Sequence, residues 1–521
     1  MAGEEFARVY SWGHDPKAKG DYETASPCNH IDLPQTLLEP ILTRRATHAG
    51  WSLRFNTSFL KIESRSSWSP GEEVIVSLVR DDLTGQTYRI QSRFLFGCDG
   101  ARSQVVREIG LPLIKKPGQG LAINVLLKAD LSHLVKNRSG NLHWVINPEN
   151  LNETRPPWAW ACLARMIRPW NEWMFIFLPA PGADIKGDEI TQVTKEEYLR
   201  EVHNVIGDPE VKDVEIKHVG RWYINETVAE RYSDGLGVFC LGDAVHRHPP
   251  FNGLGSNTCI QDAFNLAWKV DYVLSGKAGP RLLESYSVER QPVGVDIITR
   301  ANQGLRDHIP WQTTLGMLEK DPSRRQQILA EFEDPGFAGR KRRQEFRAGI
   351  ENTTTEFQGL GIEMNQRYRS DAVYLCDEFP AAEPAELQGE EARVKTHQVS
   401  TFPGRRLPHA WLNTRTPGKR LSTIDLAGHG KFCLLTGPGG QKWKEAAQRV
   451  SQKLGVEVVA YSVGWKQDYE DVYFDWEKKR EVDEDGCVLA RPDRFVAWRS
   501  KAMVANPDEK LEWVLRSVLA L

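Results

Sequence analysis

The 521-residue sequence lacks the features of a membrane, secreted or nucleic-acid-binding protein. No apolar run reaches the roughly 18 residues of a transmembrane helix, so we expect no membrane partner. The first residues, Met1 to Arg8, contain no apolar core of a signal peptide, which favours a cytoplasmic location. The net charge of -3 gives no overall positive field, which argues against a nucleic-acid partner.

The eight cysteines are scattered, and no two are spaced as Cys-x-x-Cys. That spacing is typical of zinc sites and redox-active dithiols, so neither is expected, and scattered thiols favour a reduced cytoplasmic protein. His246 and His248 are a candidate metal-binding pair. Two histidines without an evident third ligand are a weak zinc signal, however, and we predict no metal.

The sequence also lacks a Gly-x-Gly-x-x-Gly motif between a strand and a helix, the usual signature of a dinucleotide pyrophosphate site. Gly118-Gln-Gly120, Gly235-Leu-Gly237, Gly253-Leu-Gly255 and Gly359-Leu-Gly361 each lack the third glycine or the strand-helix context. The chain length indicates two to four domains. A hydrophobic content of 40% and a charged content of 26% are ordinary for a globular protein.

The most informative stretch begins at Val238. The apolar run Val238 to Leu241 predicts a short buried strand. Gly242 and Asp243 end this strand and leave a carboxylate at its C-terminal edge. Open α/β sheets place their ligands at that edge, so Asp243 is a candidate ligand-binding residue.

The loop after this strand is suited to a close approach by a flat or bulky ligand. Pro250 stiffens it, and Gly253 and Gly255 let the backbone come close. Ser256 or Asn257 is predicted to cap the helix that follows, and a free helix start attracts negative charge. The apolar face expected for that helix consists of Ile260, Ala263, Phe264, Ala267 and Trp268.

This stretch resembles the ribityl-binding motif of the FAD-dependent aromatic hydroxylases of the para-hydroxybenzoate-hydroxylase and phenol-hydroxylase type. Every fixed position of the family pattern Gly-Asp-Ala-x-His-x-x-x-Pro-x-x-Gly-x-Gly-x-Asn is met from Gly242 to Asn257. The resemblance implies that Asp243 binds the ribityl hydroxyls and that the helix start stabilises negative charge on reduced flavin. The further cofactor contacts that it implies are Pro250, Gly253, Gly255, Ser256 and Asn257.

Two other stretches resemble cofactor-binding parts of the same family. Asp99, Gly100, Ser103 and Arg107 resemble a second fingerprint, which lies near the pyrophosphate and the nicotinamide path; Asp99 and Gly100 are the contacts implied. A helix predicted from Asp32 to Gly50 carries Gln35 near its start, where the family has a Gln that reaches FAD. The alternative for Gln35 is a solvent-facing position on the helix. The apolar face of this helix is predicted to be Leu37, Leu38, Ile41 and Leu42.

The middle of the chain, residues 116–231, is predicted to be mostly β, with one helix at Lys195 to Ile206. The resemblance implies an inserted antiparallel sheet that binds the substrate. Phenol hydroxylases have a substrate-contacting Tyr where this chain has Asn225-Glu226. Glu226 is therefore our candidate catalytic base, with a surface residue as the alternative. Aromatic residues that line a substrate pocket or else pack in the core are Trp144, Trp158, Trp160, Trp170, Trp173, Trp222 and Tyr223.

The predicted fold class is a composite of α/β and α+β parts. Residues 1–115 and 232–350 form a Rossmann-like FAD-binding domain without Gly-x-Gly-x-x-Gly, 116–231 the substrate domain and 351–400 a linker. Residues 401–521 resemble the thioredoxin-like C-terminal domain of the phenol-hydroxylase branch. Because Cys-x-x-Cys is absent, we expect this domain to support dimerisation or a lid.

The resemblance implies an FAD-dependent monooxygenase that uses NADPH or NADH and O2 to hydroxylate a phenolic substrate, including polyketide-type secondary metabolites. A homodimer is expected. The family's first βαβ unit is missing, which indicates a shortened form or a degenerate homologue; the intact remaining pattern favours the first. The alternative function is that of a shortened, non-catalytic dimer partner.

Overall fold

The structure is a computed structural model that describes residues 1–65, 75–116, 120–138, 140, 142–147, 155–180, 182–183 and 192–521. Its helices are α1 (Lys19–Ala25), α2 (Gln35–His48), α3 (Gln104–Ile109), α4 (Ser132–Val135), α5 (Lys195–Ile206), α6 (Gly255–Leu274), α7 (Glu284–Arg306), α8 (Ile309–Thr314), α9 (Pro322–Glu333), α10 (Phe337–Asn352), α11 (Thr354–Phe357), α12 (Leu360–Met364), α13 (Glu390–Lys395), α14 (Thr423–Leu426), α15 (Gln441–Leu454), α16 (Asp475–Lys479) and α17 (Pro507–Val518).

The strands lie in several separate sheets, and the predicted composite fold is confirmed. They are β1 (Thr57–Arg65), β2 (Ile75–Asp81), β3 (Thr87–Ser92), β4 (Leu95–Gly97), β5 (Leu113–Lys116), β6 (Leu121–Lys128), β7 (Leu142–Val145), β8 (Ala161–Arg168), β9 (Glu172–Leu178), β10 (Glu215–Tyr223), β11 (Glu226–Ala229), β12 (Val238–Cys240), β13 (His246–Arg247), β14 (Trp411–Asn413), β15 (Leu421–Ser422), β16 (Phe432–Thr436), β17 (Val458–Ser462), β18 (Glu470–Asp471), β19 (Cys487–Ala490) and β20 (Val496–Ser500).

The two strands that carry the recognised motifs, β4 and β12, lie side by side in parallel. The Leu241 amide donates to the Gly97 carbonyl at 3.1 Å and extends the pairing beyond β12. Only glycine fits at 97, because a Cβ there would stand 2.9 Å from Val105. Parallel strands end at the same edge of a sheet, so the loops that carry Asp99 and Asp243 emerge together.

The inserted domain contains a sheet in the order β10-β6-β9-β8-β7, in which every pairing is antiparallel, as predicted. One face packs on α5, which has the predicted bounds and a capping box formed by Thr194 and Glu197. The opposite face packs against Leu305 of α7. The sheet therefore presents a second, largely apolar face to α7, the second long helix after the ribityl-type motif.

The long helix α6 buries charged side chains, and only Trp268 of its predicted apolar face is buried. Ile260 and Phe264 are 53% and 40% exposed, whereas Asp262 and Lys269 are fully buried. These charged side chains can be buried because α7 and the C-terminal domain supply oppositely charged partners for them. Lys269, for example, donates to Glu289 at 2.7 Å.

The segment 351–400, predicted to be a linker, packs on the C-terminal domain. Tyr368 stacks on Phe495 with ring centroids 3.9 Å apart. The Tyr374 amide donates to the Ala497 carbonyl at 2.8 Å, so the segment runs along β20. The Pro- and Ala-rich composition suggested a flexible connection, but tertiary contacts of its aromatic residues order the segment. The other domain borders stay a prediction.

The C-terminal domain has a sheet in the order β17-β16-β19-β20, with β16 and β17 parallel and the other pairings antiparallel. Helix α15 connects the parallel strands, and α17 follows the antiparallel ones; a thioredoxin-like relationship stays a prediction. Its two thiols lie within strands rather than at the start of α15, and burial raises the pKa of Cys433 to about 12. Both Cys433 and Cys487 are buried, inert positions.

The N-terminal part differs from expectation at α2. The helix begins at Gln35 rather than at Asp32, and none of its side chains is buried. Its predicted apolar face, with Ile41 about half exposed, is open to solvent. No helix in the described ranges is long and apolar enough to cross a membrane.

Two histidines of the C-terminal half predict acid sensitivity. Burial lowers the pKa of His397 to about 4, with Arg406 contributing, and burial beside Lys479 lowers the pKa of His409 to about 4. In the unfolded chain, histidine has a pKa near 6.5 and therefore binds protons at a pH where these two histidines of the folded chain do not. The free energy of unfolding is therefore expected to be highest above pH 6.5 and to fall as the pH drops towards 4.

Thermal melting at about pH 7.5 and about pH 5 checks this expectation. The double variant His397→Asn with His409→Asn is expected to melt with a shallower dependence on pH than the parent. Equal pH dependence in parent and variant would contradict the assignment.

Candidate functional site

The turn after β12 presents the carboxylate of Asp243 to solvent. Gly242–Ala244 form a single helical turn in which Gly242 has φ +60°, a conformation that favours glycine. The Asp243 carbonyl accepts from Arg247 at 3.0 Å, but within the described part of the chain its carboxylate has no hydrogen-bond partner. The carboxylate is thus available to a ligand at the edge of the parallel strand pair.

The loop between this turn and α6 is fixed by hydrogen bonds to the α11 region. Asn252, at φ 64°, donates from its side chain to the carbonyls of Thr355 (2.8 Å) and Glu356 (3.1 Å). The next residue, Gly253, also has positive φ and is exposed. Two consecutive left-handed residues turn the chain sharply and direct it into the start of α6.

Helix α6 begins at Gly255 without a side-chain cap, so the predicted caps are wrong. The Asn257 side chain donates back to the Gly253 carbonyl at 2.9 Å, and Ser256 is exposed. Thr258 donates the first helical hydrogen bond, to Leu254 at 2.9 Å. The preceding amides therefore point outward at the positive end of the helix dipole, next to the Asp243 turn.

An N-terminal tryptophan lies against this loop, and the sequence analysis missed it. Trp12 stacks on His30, with ring centroids 4.9 Å apart and an interplanar angle of 2°. Its amide donates to the Phe357 carbonyl at 3.0 Å. A Cβ at Gly253 would be in ordinary contact with Trp12, at 3.7 Å. Nothing in the aperiodic N-terminal sequence indicated this contact.

The second motif lies beside the first, but its acid is already engaged. The Asp99 carboxylate accepts from the Ser103 hydroxyl at 2.5 Å and from the Gln104 amide at 2.6 Å, and so holds the start of α3. Gly100 has φ +74° and open space around its Cα. The structure brings Gly100 and Asp243 to the same edge; a cofactor contact by Asp99 stays a prediction.

Gln35 is exposed at the first position of α2 and donates to Glu39 of the same helix at 2.5 Å. This bond is local to the helix and links Gln35 to neither motif. Pro250 is exposed at the start of the loop that leads to α6. Contacts of Gln35 and Pro250 with a cofactor stay predictions.

The predicted aromatic pocket residues separate between the two faces of the inserted sheet. Trp158 and Trp173 pack on the α5 side, and Trp160 packs with Trp311. Trp144 and Trp222 lie on the side of α7. The remaining two, Trp170 and Tyr223, are exposed.

Trp144 is the predicted pocket residue whose ring lies near Phe251 of the motif loop. Its ring centroid lies 6.3 Å from that of Phe251 and 4.6 Å from that of His308. Its indole N–H is buried and has no hydrogen-bond partner among the residues described. Trp222, by contrast, donates to Asn124 at 2.9 Å. A buried donor without a partner suits a ligand oxygen.

His308 and Glu356 form a buried pair at this site that sequence analysis missed. The His308 Nε2 lies 2.8 Å from a Glu356 oxygen, and the Trp311 indole donates to His308 Nδ1 at 3.1 Å. Nδ1 is therefore an acceptor, so Nε2 carries the proton that Glu356 accepts. The residues are 48 positions apart, and no local pattern links them.

Glu226 lies at the start of β11 and is buried, which excludes the alternative of a surface residue. Its carboxylate forms an ion pair with Lys116 of β5, and Arg306 lies 3.6 Å away. Proton transfer to Glu226 requires one of these pairs to open. Its role as a base stays a prediction.

The histidine pair of the motif is engaged in other contacts. His246 Nε2 lies 2.8 Å from the Asp262 carboxylate, and His248 Nδ1 lies 2.7 Å from the Pro249 carbonyl. Burial lowers the pKa of His248. Across the described ranges, no group of three His, Cys, Asp or Glu residues is arranged to hold a metal ion.

The residues at this edge fit a flavin. Asp243 offers a free carboxylate to hydroxyl groups, and the uncapped start of α6 offers amides to an electron-rich ring edge. Gly253 has a φ of +65°, which would strain any other residue, and the space that a Cβ would fill there faces Trp12.

Comparison with known proteins agrees with this chemistry. A family model described as FAD binding domain matches residues 3–301, and one described as aromatic-ring hydroxylase, C-terminal, matches residues 400–520. The chain is 40% identical over 523 residues to 2,4-dichlorophenol 6-monooxygenase of Delftia acidovorans, covering 100% of this chain and 85% of the relative. It is 40% identical over 516 residues to phenol 2-monooxygenase of Pseudomonas sp. (strain EST1001), covering 99% and 79%.

Among solved structures, the flavin-dependent monooxygenase PieE in complex with FAD and substrate matches with a TM-score of 0.88 at 38% identity, covering 100% of this chain and 85% of that one. A ternary complex of aklavinone-11 hydroxylase with FAD and aklavinone matches with a TM-score of 0.71 at 26% identity, covering 96% and 81%. The FAD-binding model alone covers more than half of the chain. The chain therefore belongs to the FAD-dependent aromatic-ring hydroxylases, monooxygenases that use FAD and NAD(P)H to hydroxylate phenolic rings.

Proposed function

We propose that this enzyme hydroxylates a substituted phenol and that Asp243 and the start of α6 hold the flavin that it uses. The observation that carries the proposal is the exposed Asp243 carboxylate beside an uncapped helix start. Bound FAD, once reduced by NADPH or NADH, would activate O2, and one of its two oxygen atoms would be added to the aromatic ring of the substrate. The chain's own residues bind, orient and desolvate the reactants.

The flavin contacts divide into two groups. Asp243 accepts from the ribityl hydroxyls, and the amides from Gly255 onward face the electron-rich edge of the ring, where helix polarity favours negative charge. The loop backbone at Pro250 and Gly253, together with the side chains of Ser256 and Asn257, closes around that edge. Gly100, Asp99 and Gln35 are proposed contacts further along the cofactor.

The substrate lies, in this proposal, between the α7-facing side of the inserted sheet and the motif loop. The unpartnered Trp144 indole N–H, next to Phe251, donates to the phenolic oxygen. The neighbouring His308 is fixed by Glu356 and Trp311, so it supplies a rigid wall. Glu226 takes the phenolic proton when its pairing with Lys116 opens.

Sequence identity to relatives favours a substituted phenol over a polyketide as the substrate. Relatives that are named for dichlorophenol and phenol are 40% identical to this chain. Relatives that are named for tetracenomycins are 30–31% identical. PieE, at 38% identity, was solved with FAD and a substrate.

Replacing Trp144 with phenylalanine is expected to raise KM for the phenol about fivefold, because one hydrogen bond of about 1 kcal/mol is lost. An aromatic ring remains at this position, so most of the packing against Phe251 and His308 should persist and kcat should change little. Steady-state kinetics check the prediction. Trp170→Phe is the control, since Trp170 is exposed. An unchanged KM for Trp144→Phe would show that the indole does not contact substrate.

The function is tested with the purified chain, added FAD and a panel of phenols. We expect saturable flavin binding, NAD(P)H oxidation that depends on the phenol, and a product that has gained one oxygen atom. Benzene derivatives without a hydroxyl are the negative controls. Absence of both flavin binding and phenol-dependent oxidation would overturn the proposal.

The same purified samples test the oligomeric state and the alternative function. Size-exclusion chromatography distinguishes the proposed homodimer from a monomer. A chain that binds no flavin but associates with a full-length relative would support the alternative of a non-catalytic partner. A cytoplasmic location is part of the proposal, because all eight cysteines are free thiols.

A further inference from the structure

A buried carboxylate on α6 reaches back to the turn that carries Asp243. Asp262 is fully buried, two turns into the helix. Its Oδ2 accepts from the Gly242 amide at 3.1 Å and lies 2.8 Å from His246 Nε2. Its Oδ1 accepts from Arg290 Nε on α7 at 2.7 Å. One side chain thus connects the turn, α6 and α7.

We propose that Asp262 is a positioning residue that fixes the Gly242–Asp243 turn to helix α6, so that the Asp243 carboxylate and the start of α6 are presented to the flavin in one arrangement. The inference rests on the proposed function of these two elements. Asp262 itself is buried beneath the turn and acts on the cofactor through Gly242 and Asp243.

The turn is seated on α6 at two points. The first is the hydrogen bond from Gly242 to Asp262. The second is a close approach to Cys259, one turn earlier on α6, whose Sγ would lie 2.9 Å from a Cβ at position 242. The exposed Asp243 follows directly; its carbonyl accepts from Arg247, but its carboxylate has no hydrogen-bond partner among the described residues. Its position therefore depends on how Gly242 is held.

The surroundings of Asp262 favour its charged form. Burial alone would raise its pKa, but Arg290 and His246 outweigh burial and lower the pKa of Asp262 below its ordinary value. A hydrogen bond from an amide to a charged acceptor is stronger than a neutral one. Arg290 is in turn held by the Tyr368 hydroxyl, 3.0 Å from its Nη1.

A role in stability alone is the competing explanation, and the chain offers a matched control. Glu289, also fully buried between α6 and α7, accepts from Lys269 at 2.7 Å and from Arg491. It makes no contact with the Gly242–Asp243 turn among the described residues. Loss of either carboxylate leaves buried cations unpaired, but only Asp262 touches the turn.

The test uses the 521-residue chain and its Asp262→Asn and Glu289→Gln variants. Binding of FAD and of riboflavin is measured by fluorescence quenching, and thermal melting is recorded without flavin. Both variants are expected to melt at lower temperature. Asp262→Asn should weaken binding of both flavins at least tenfold, about 1.4 kcal/mol, whereas Glu289→Gln should bind within about twofold of the parent.

Equal flavin affinity of Asp262→Asn and the parent would overturn the inference, as would equal weakening by both variants. Absence of flavin binding by the parent would instead overturn the proposed function on which the inference rests. If Asp262→Asn does not fold, His246→Ala and His246→Gln replace it. The Gln amide can donate to Asp262 as His246 does, so Gln should restore most of the affinity that Ala loses; equal affinity of Ala, Gln and parent would overturn the inference.

Discussion

Asp243→Ala is expected to weaken FAD binding about a hundredfold and to abolish hydroxylation at micromolar flavin. A carboxylate that accepts from ribityl hydroxyls makes charged hydrogen bonds, and a hundredfold loss corresponds to about 2.7 kcal/mol. The side chain is exposed and unpaired within the described residues, so its removal should leave thermal melting nearly unchanged. A flavin titration and a melting curve of the same sample separate binding from folding.

Asp243→Asn is the matched control for charge. The amide retains one acceptor oxygen of similar position, so we expect a loss of about tenfold. If Asp243→Ala bound FAD as tightly as the parent, Asp243 would not be part of the flavin site. Asparagine as weak as alanine would show that the charge, rather than the acceptor geometry, carries the interaction.

Arg491→Met is expected to lower the free energy of unfolding by about 3–5 kcal/mol, because it leaves buried Asp493 without its cation and Glu289 with Lys269 alone. Arg491 is fully buried and donates to Glu289 (2.8 Å from Nη2) and to Asp493 (3.0 Å from Nε). Its guanidinium also lies 5.3 Å from the ring of Trp268. The residue thus joins the C-terminal domain to α6 and α7.

Urea denaturation measures this effect, and Arg449→Met is the control. Arg449 pairs with Asp508 at the surface, where ion pairs contribute little, so its replacement should leave the transition nearly unchanged. A similarly small change for Arg491→Met would mean that the network is not needed for folding. We expect the parent to unfold in one transition, since the network spans both domains.

Local sequence patterns predicted those elements whose structure depends mainly on residues that are close in sequence. The bounds of α5 were predicted as the structure has them, and its Thr194–Glu197 cap is a local feature of the same stretch. The strand before Asp243 followed from a short apolar run and a glycine. The long ribityl-type motif allowed the chemistry of the site to be predicted, because nearly every position in it serves the turn, the loop or the helix start.

Partners distant in sequence account for the errors. Helix α6 buries Lys269 because its partner Glu289 lies 20 positions away on α7, beyond any helical period, and Glu289 also accepts from Arg491, 202 positions further along. Composition suggested a linker at 351–400, but Tyr368 and Tyr374 pack on the C-terminal domain. The contact of the Asp99 carboxylate with the start of α3 was likewise not foreseen, and its predicted cofactor contact stays untested.

The charged contacts between α6, α7 and Arg491 also restrict how the enzyme opens. A hinge between the C-terminal domain and these helices would separate ions in a dry interface, which is costly. The inserted sheet meets the motif loop through rings such as Trp144 and Phe251, which slide without exposing a charge. Movement that admits small aromatic molecules is therefore expected at the contact between the inserted sheet and α7 rather than at the C-terminal domain.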